Sequence, residues 1–299
     1  MKNERLKGNI FLLITSIIWG GGFIFQTFAS KELPTFSFNT YRMLVSTITF
    51  ILCYFLTKKV SFINTKNNNK TCIIFGIITG VAVFLGFFCQ QTGITHITAA
   101  KSGFLTSTQV IFVPILAVFL RKKAKVQVWI ATIIAFLGFY IMSMTEKYVP
   151  SIWDVITILG AIFFSVNVLI LDHVKNDVNL FKFGIVFSLT AGILSLICSL
   201  IFDTVTTEGI INSTIPALYL GIASGAIATA CEILGHRYNP NPTVAILILS
   251  LESVFALIFG FIFLKQMVTL QEGIGCIIVT IAVLLSQIDF KQLKFKNNK

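Results

Sequence analysis

The sequence predicts an all-α integral membrane protein of ten transmembrane helices, arranged as two inverted five-helix repeats. Three observations carry that expectation. Of 299 residues, 56% are hydrophobic and 12% charged, against about 25% charged in an ordinary soluble domain. Mean hydropathy is +0.88, and apolar stretches near the ~20 residues that cross a hydrocarbon core follow one another along the chain. Short motifs of the first half also recur in the second.

The stretches run over 8–28, 36–57, 71–92, 98–120, 127–144, 152–172, 180–202, 214–235, 243–264 and 268–288. The first has a longer apolar core than a signal peptide and nine more follow it, so it reads as a retained helix. Cations sort by side. With the N-terminus inside, 18 of the 23 Lys and Arg fall on the same side, in clusters such as Lys58, Lys59, Lys66, Lys70 and Arg121, Lys122, Lys123, Lys125. Three (Lys31, Lys147, Lys265) fall opposite, and Arg42 and Lys101 lie within or at the edge of spans. The positive-inside bias therefore places both termini in the cytoplasm. Orientation accounts for the net charge of +11, and no basic helix or arm could follow a phosphate backbone, so no nucleic-acid partner is expected. The six cysteines stand singly, without a C-x-x-C pair or His at ligand spacing. Neither a disulfide framework nor a metal or other cofactor is expected.

The repeat rests on three matches in the same order. Gly76-x-x-x-Gly80 answers Gly221-x-x-x-Gly225, a spacing that lets membrane helices approach closely. Cys89-Gln90-x-x-Gly93 answers Cys231-Glu232-x-x-Gly235, and 105–120 aligns with 248–263, pairing Ser107 with Ser250 and Gln109 with Glu252. Five spans per half is an odd number, so the second half starts from the opposite side of the membrane. The expected units are 8–146, 150–289 and a basic cytoplasmic tail over 290–299.

TAAKSGFLTSTQVIFVPI (98–115) and NPTVAILILSLESVFALIFGFIFL (241–264) resemble the paired signatures of EamA-like transporters of the drug/metabolite transporter superfamily, with Trp19-Gly20 and Arg42 matching the family's opening pattern. That resemblance implies a ten-helix carrier of the plasma (bacterial inner) membrane, usually exporting amino acids, related metabolites or drugs by alternating access. The chain departs from the family at the ends of the fourth and ninth spans, where Arg121-Lys122 and Lys265-Gln266 replace the usual Gly-Glu, and at Ser253, where Pro is common.

Polar side chains at helical spacing outline an interior. Asn39, Arg42, Ser46, Thr49 and Cys53 share one face of the second span. Thr15, Trp19, Gly22 and Gln26 do so on the first, Ser102, Thr106 and Gln109 on the fourth, and Gly225, Thr229, Glu232 and His236 on the eighth. Ionisable groups in spans usually face a bundle interior or a wet cavity. Glu252 lies too deep for its short side chain to reach the interface, and reads as a contact for a substrate amine or as a proton carrier. Arg42 reads as a substrate contact or as an arginine reaching for the interface. Lys101 and Glu232 carry the same two readings, the latter with Arg237 or His236 as structural partner. Trp19, Gln90, Gln109 and Asn167 complete the candidate substrate-binding set, with interhelical packing and hydrogen bonding as the plain alternative. Asn239-Pro240-Asn241-Pro242 predicts a short extended break before the ninth span.

A secondary transporter working around a midplane cavity fits these features, with a small-molecule substrate and membrane lipid as partners and the oligomeric state open. Cations toward the outside and carboxylates toward the inside suit a zwitterion or small amphipathic metabolite. No G-x-x-x-x-G-K-[ST] loop is present for ATP-driven pumping. A passive facilitator or lipid-moving protein is the alternative. An intramembrane enzyme is less supported, since His96, His173 and His236 all fall near span ends and no catalytic constellation is legible.

Overall fold

The computed structural model describes residues 2–57, 68–97, 99–121, 125–143, 151–239, 241–265 and 267–287. Lys58, Lys59, Lys66, Lys122, Lys123, Lys147, Pro240, Gln266 and the expected tail 290–299 lie outside the described residues. Among those described, every regular element is helical. The order is α1 (Lys2–Ala29), α2 (Thr35–Leu56), α3 (Asn69–Ile94), α4 (Ala99–Ser107), α5 (Gln109–Phe119), α6 (Val126–Ser143), α7 (Ile152–Val174) and α8 (Leu180–Phe202). Short helices α9 (Thr207–Asn212) and α10 (Thr214–Leu218) lead into a π-helical segment, Tyr219–Ala228, and α11 (Thr229–Tyr238). The chain continues through α12 (Pro242–Leu249), α13 (Glu252–Leu264) and α14 (Leu270–Gln287).

Eight of the resulting spans are long and apolar enough to cross a membrane, counting Lys101–Phe119, Thr214–Tyr238 and Pro242–Phe263 each as one. The helix Val126–Met142 is apolar but shorter, and α2 falls outside the eight because Asn39, Thr40 and Arg42 crowd its first turns. The outer face of α2 is nevertheless apolar, with Leu44, Ile48, Leu52 and Phe55 exposed one turn apart. Faces of this kind recur around the bundle, and water would not tolerate their sum. The chain is a multi-pass membrane protein.

Close packing follows the glycines. Helix α3 lies against α8 where a Cβ on Gly76 would meet Val186 at 2.7 Å and one on Gly80 would meet Thr190 Cβ at 2.5 Å and the Phe187 carbonyl at 2.8 Å. The π segment lies against α2 in the same manner, with Gly221 facing Val45 and the Arg42 carbonyl, and Gly225 facing Ser46. Helices α6 and α14 cross at Gly138 and Gly275, each within 3.0 Å of the other's carbonyl when given a Cβ. Lipid tails are as apolar as leucine, so tight van der Waals contact rather than burial from water holds these seams. Gly80→Ala is accordingly expected to cost about 1–3 kcal/mol, the usual range for overpacking, read as a lower Tm of the detergent-purified protein.

The fourth and ninth stretches are not the single helices their hydropathy suggests. Helix α4 stops at Ser107 and α5 starts at Gln109, while α12 stops at Leu249 and α13 starts at Glu252. At both breaks a hydroxyl donates to the carbonyl three residues earlier: Thr108 Oγ1 to that of Leu105 (2.6 Å) and Ser250 Oγ to that of Leu247 (2.8 Å). This back-bonding bends membrane helices. Pro114 weakens α5 further, having no N–H and crowding the carbonyl four residues earlier. The broken helices touch, Ser107 Oγ contacting Ser253 Oγ, and Ser253 Oγ lies 2.9 Å from the Gly103 carbonyl as a donor. Asn241 caps α12 by accepting from the Thr243 amide at 2.9 Å, with Pro242 at the first helical position.

Candidate functional site

A cavity lies between the broken helices, α1, α2, α3, α7, α8 and the π segment with α11. Six of the eight candidate substrate-binding residues line it, Trp19, Gln90, Gln109, Asn167, Glu232 and Glu252, together with Gln26, Thr106, Gly225 and Thr229 of the polar stripes. Gln109 and Glu252 hold matching places as the first residues of α5 and α13, where unpaired amides and the positive end of the helix dipole favour an acceptor or an anion.

Helix α1 and the π segment are stitched by side chains. Trp19 Nε1 donates to the Ser224 carbonyl (3.2 Å), Thr15 Oγ1 to that of Ala228 (3.0 Å), and Tyr219 Oη to that of Ile18 (2.9 Å). A π-helix loosens the α-type ladder, which leaves carbonyls for such partners and is common at functional sites. Trp19 thus both forms wall and fixes Ser224 and Gly225 at the cavity edge. Across the cavity, Gln90 Nε2 donates to Thr106 Oγ1 at 3.1 Å, joining α3 to α4.

The two glutamates are buried, Glu232 1% and Glu252 4% exposed. Both oxygens of Glu232 and Oε1 of Glu252 have no hydrogen-bond partner among the described residues. The pairing of Glu232 with Arg237 considered from sequence does not occur. Arg237 instead donates from Nε to the Lys175 carbonyl (2.6 Å) and from Nη2 to that of Val178 (2.9 Å). His236 lies beside Asp172, with Nδ1 3.8 Å from Oδ1, and Asp172 also pairs with Lys175 at 2.7 Å.

Arg42 and Lys101 do not line the cavity. Arg42 is 2% exposed, so it does not reach for the interface. Its guanidinium lies 3.6 Å from the centroid of the Phe87 ring, which lines the cavity and packs edge-on with Phe164, and Nε and Nη2 have no hydrogen-bond partner among the described residues. Lys101 forms an ion pair with Asp154 at 2.8 Å, joining α4 to the first turn of α7, where Asp154 completes a capping box with Ser151. Lys101→Ala is therefore expected to destabilise by about 1–3 kcal/mol, less than the about 3–5 kcal/mol of a fully buried pair because the Lys101 side chain is 23% exposed. Ligand affinity should stay within about twofold, checked by thermal unfolding and calorimetry on the same preparation.

Sequence reasoning missed the apolar walls, Phe23, Phe87, Phe164 and Phe187. With 30 Phe in the chain, one facing inward carries no local mark. Asp154 was also missed, although Ser151-x-x-Asp154 before an apolar run is a legible helix start.

An all-helical bundle around a central cavity defines a membrane transporter when taken with the following likenesses. The model of the EamA-like transporter family matches residues 6–144 and again 151–287. The chain belongs to that family. It is 28% identical over 288 residues to an uncharacterized transporter of Archaeoglobus fulgidus, covering 94% of this chain and 86% of the relative. A second uncharacterized transporter of the same organism is 22% identical, covering 94% and 97%. A solved structure superposes with a TM-score of 0.75 over 96% of this chain and 97% of that one, at 14% identity, a likeness of fold.

Proposed function

We propose that the protein is a secondary transporter that exports a small metabolite, an amino acid or related compound, or a drug, by rocking one half against the other around the central cavity. The halves in this reading are 8–146 and 150–289, each with five spans, and both termini with the 290–299 tail lie in the cytoplasm at the plasma membrane. One observation carries the reading above all: two buried glutamates, with three of their four carboxylate oxygens unpartnered among the described residues, face the same cavity at the crossing of two interrupted helices. Interrupted helices at the membrane midplane are where carriers place substrate and coupling ions. The glycine seams add support, since α3 on α8 and the π segment on α2 are contacts that an exchange of the two halves would interchange. Glu252 is the proton-coupling candidate, and Trp19, Gln90, Gln109, Asn167 and Glu232 the substrate wall.

The test is counterflow in liposomes containing the purified protein. A carrier accelerates uptake of labelled substrate when unlabelled substrate is loaded on the other side. Movement without such acceleration would favour a passive facilitator, and scrambling of labelled phospholipid would favour a lipid-moving role.

A further inference from the structure

The unpartnered polar atoms of the cavity wall can all accept a hydrogen bond. Seven buried atoms on its wall have no hydrogen-bond partner among the described residues, and all are oxygens: both of Glu232, Glu252 Oε1, Gln26 Oε1, Gln90 Oε1, Asn167 Oδ1 and Thr79 Oγ1. Rotating an amide exchanges its oxygen for nitrogen, so the glutamates set the polarity. An ionised carboxylate has no such alternative and only accepts. Among the described residues, no Lys, Arg or His lines the cavity. Arg42 stacks on the ring of Phe87, which itself lines the cavity. A single ammonium placed between the two side chains would give each carboxylate, when ionised, both a donor and a compensating charge. The remaining wall is aromatic and aliphatic, with Trp19, Phe23, Phe87, Phe164 and Phe187, surfaces that hold apolar bodies and attract cations over their faces.

We infer that the cavity selects an amine: an organic monocation with N–H donors on an aromatic or aliphatic body, its ammonium held between Glu232 and Glu252. The inference rests on the transporter reading above and narrows it. A free carboxylate on the ligand would find no Lys, Arg or His among the described residues of the wall and would lie close to Glu232 and Glu252, so amino acids are disfavoured against the corresponding amines. A quaternary ammonium would satisfy the charge but none of the acceptors. Buried polar groups left unpaired are costly, which makes donor count a strong discriminator.

Calorimetry on the detergent-purified full chain tests this with three probes of one skeleton: 2-phenylethylamine, its N,N,N-trimethyl derivative and phenylalanine. The amine is expected to bind at least tenfold tighter than either of the others. Glu232→Gln and Glu252→Gln are each expected to weaken it at least tenfold, while Lys101→Ala leaves it unchanged. The wild-type comparison needs no variant to fold, and Glu→Asp at either position, keeping charge, should retain more affinity than Gln. Equal or tighter binding of phenylalanine, equal binding of the quaternary probe, no binding of the amine, or unchanged affinity in both Gln variants would each overturn the inference. Counterflow of phenylalanine without binding of the amine would sink the amine assignment and leave the transporter reading standing.

Discussion

Replacing Glu252 with Gln is expected to abolish the dependence of transport on an imposed pH gradient and to lower gradient-driven flux at least tenfold. Glutamine keeps the length and planar head of the side chain, so the start of α13 and the Ser253 bond to the Gly103 carbonyl are retained. What it loses is the capacity to take up and release a proton. Glu252 is 4% exposed, lines the cavity and leaves Oε1 without a partner. In the proposed mechanism it would meet the substrate and the proton in one place, as coupling by competition demands. Flux into liposomes at equal and opposed pH on the two sides reads the result. An unchanged rate with unchanged pH dependence would remove Glu252 from the mechanism, and the same change in Glu232→Gln would move the role there.

Gly20→Val is expected to reduce transport below a tenth of wild type and to lower Tm. Gly20 sits where α1 crosses α13. Even a Cβ there would lie 2.5 Å from Phe255 Cβ and 2.7 Å from the Glu252 carbonyl. Both neighbours are backbone or attached directly to it, so neither can swing aside, and the helices must separate. Interiors pack like crystals and transmit such strain, at about 1–3 kcal/mol for overpacking. The displacement falls on Trp19, one residue away, and on Glu252 itself, so function suffers more than stability. Gly22→Ala is the control: its nearest neighbour is the terminal Cδ2 of Leu220 at 3.2 Å, a flexible tip, and transport should stay near wild type. Equal loss in both variants would mean general sensitivity of α1 and would refute the argument from the crossing point.

The neighbourhood of Lys101 shows where reading by type alone fails. A lysine in a membrane span carries functional weight by default, yet its role depends on what stands opposite. Asp154 is 53 residues away in sequence, and only the docking of α4 on α7 brings it to 2.8 Å. Arg237 and Glu232 show the converse. Five residues apart on one helix, they suggest a pair, but Arg237 turns to carbonyls at the end of α7 and just beyond and leaves the carboxylate to the cavity.

Much of the architecture was nonetheless written in composition and spacing. Membrane class follows from apolar mass, because nothing else can be done with so many stretches of this length. Helix follows in turn, since backbone groups in lipid must be satisfied within the segment. The inward faces of α1, α2 and α11 were legible from the 3.6-residue period, and Gly76, Gly80, Gly221 and Gly225 announced close packing. Hydropathy sums could not show the interruptions at Thr108 and Ser250-Leu251, because a hydroxyl that bends a helix differs little in polarity from one that does not. Nor could they show which of 30 phenylalanines face inward. The sequence by itself determined a helical membrane protein, its lipid-facing sides and the residue types available to its interior. Tertiary structure alone decided which of those residues meet, because pairing and orphaning are properties of the space between helices and not of any one of them.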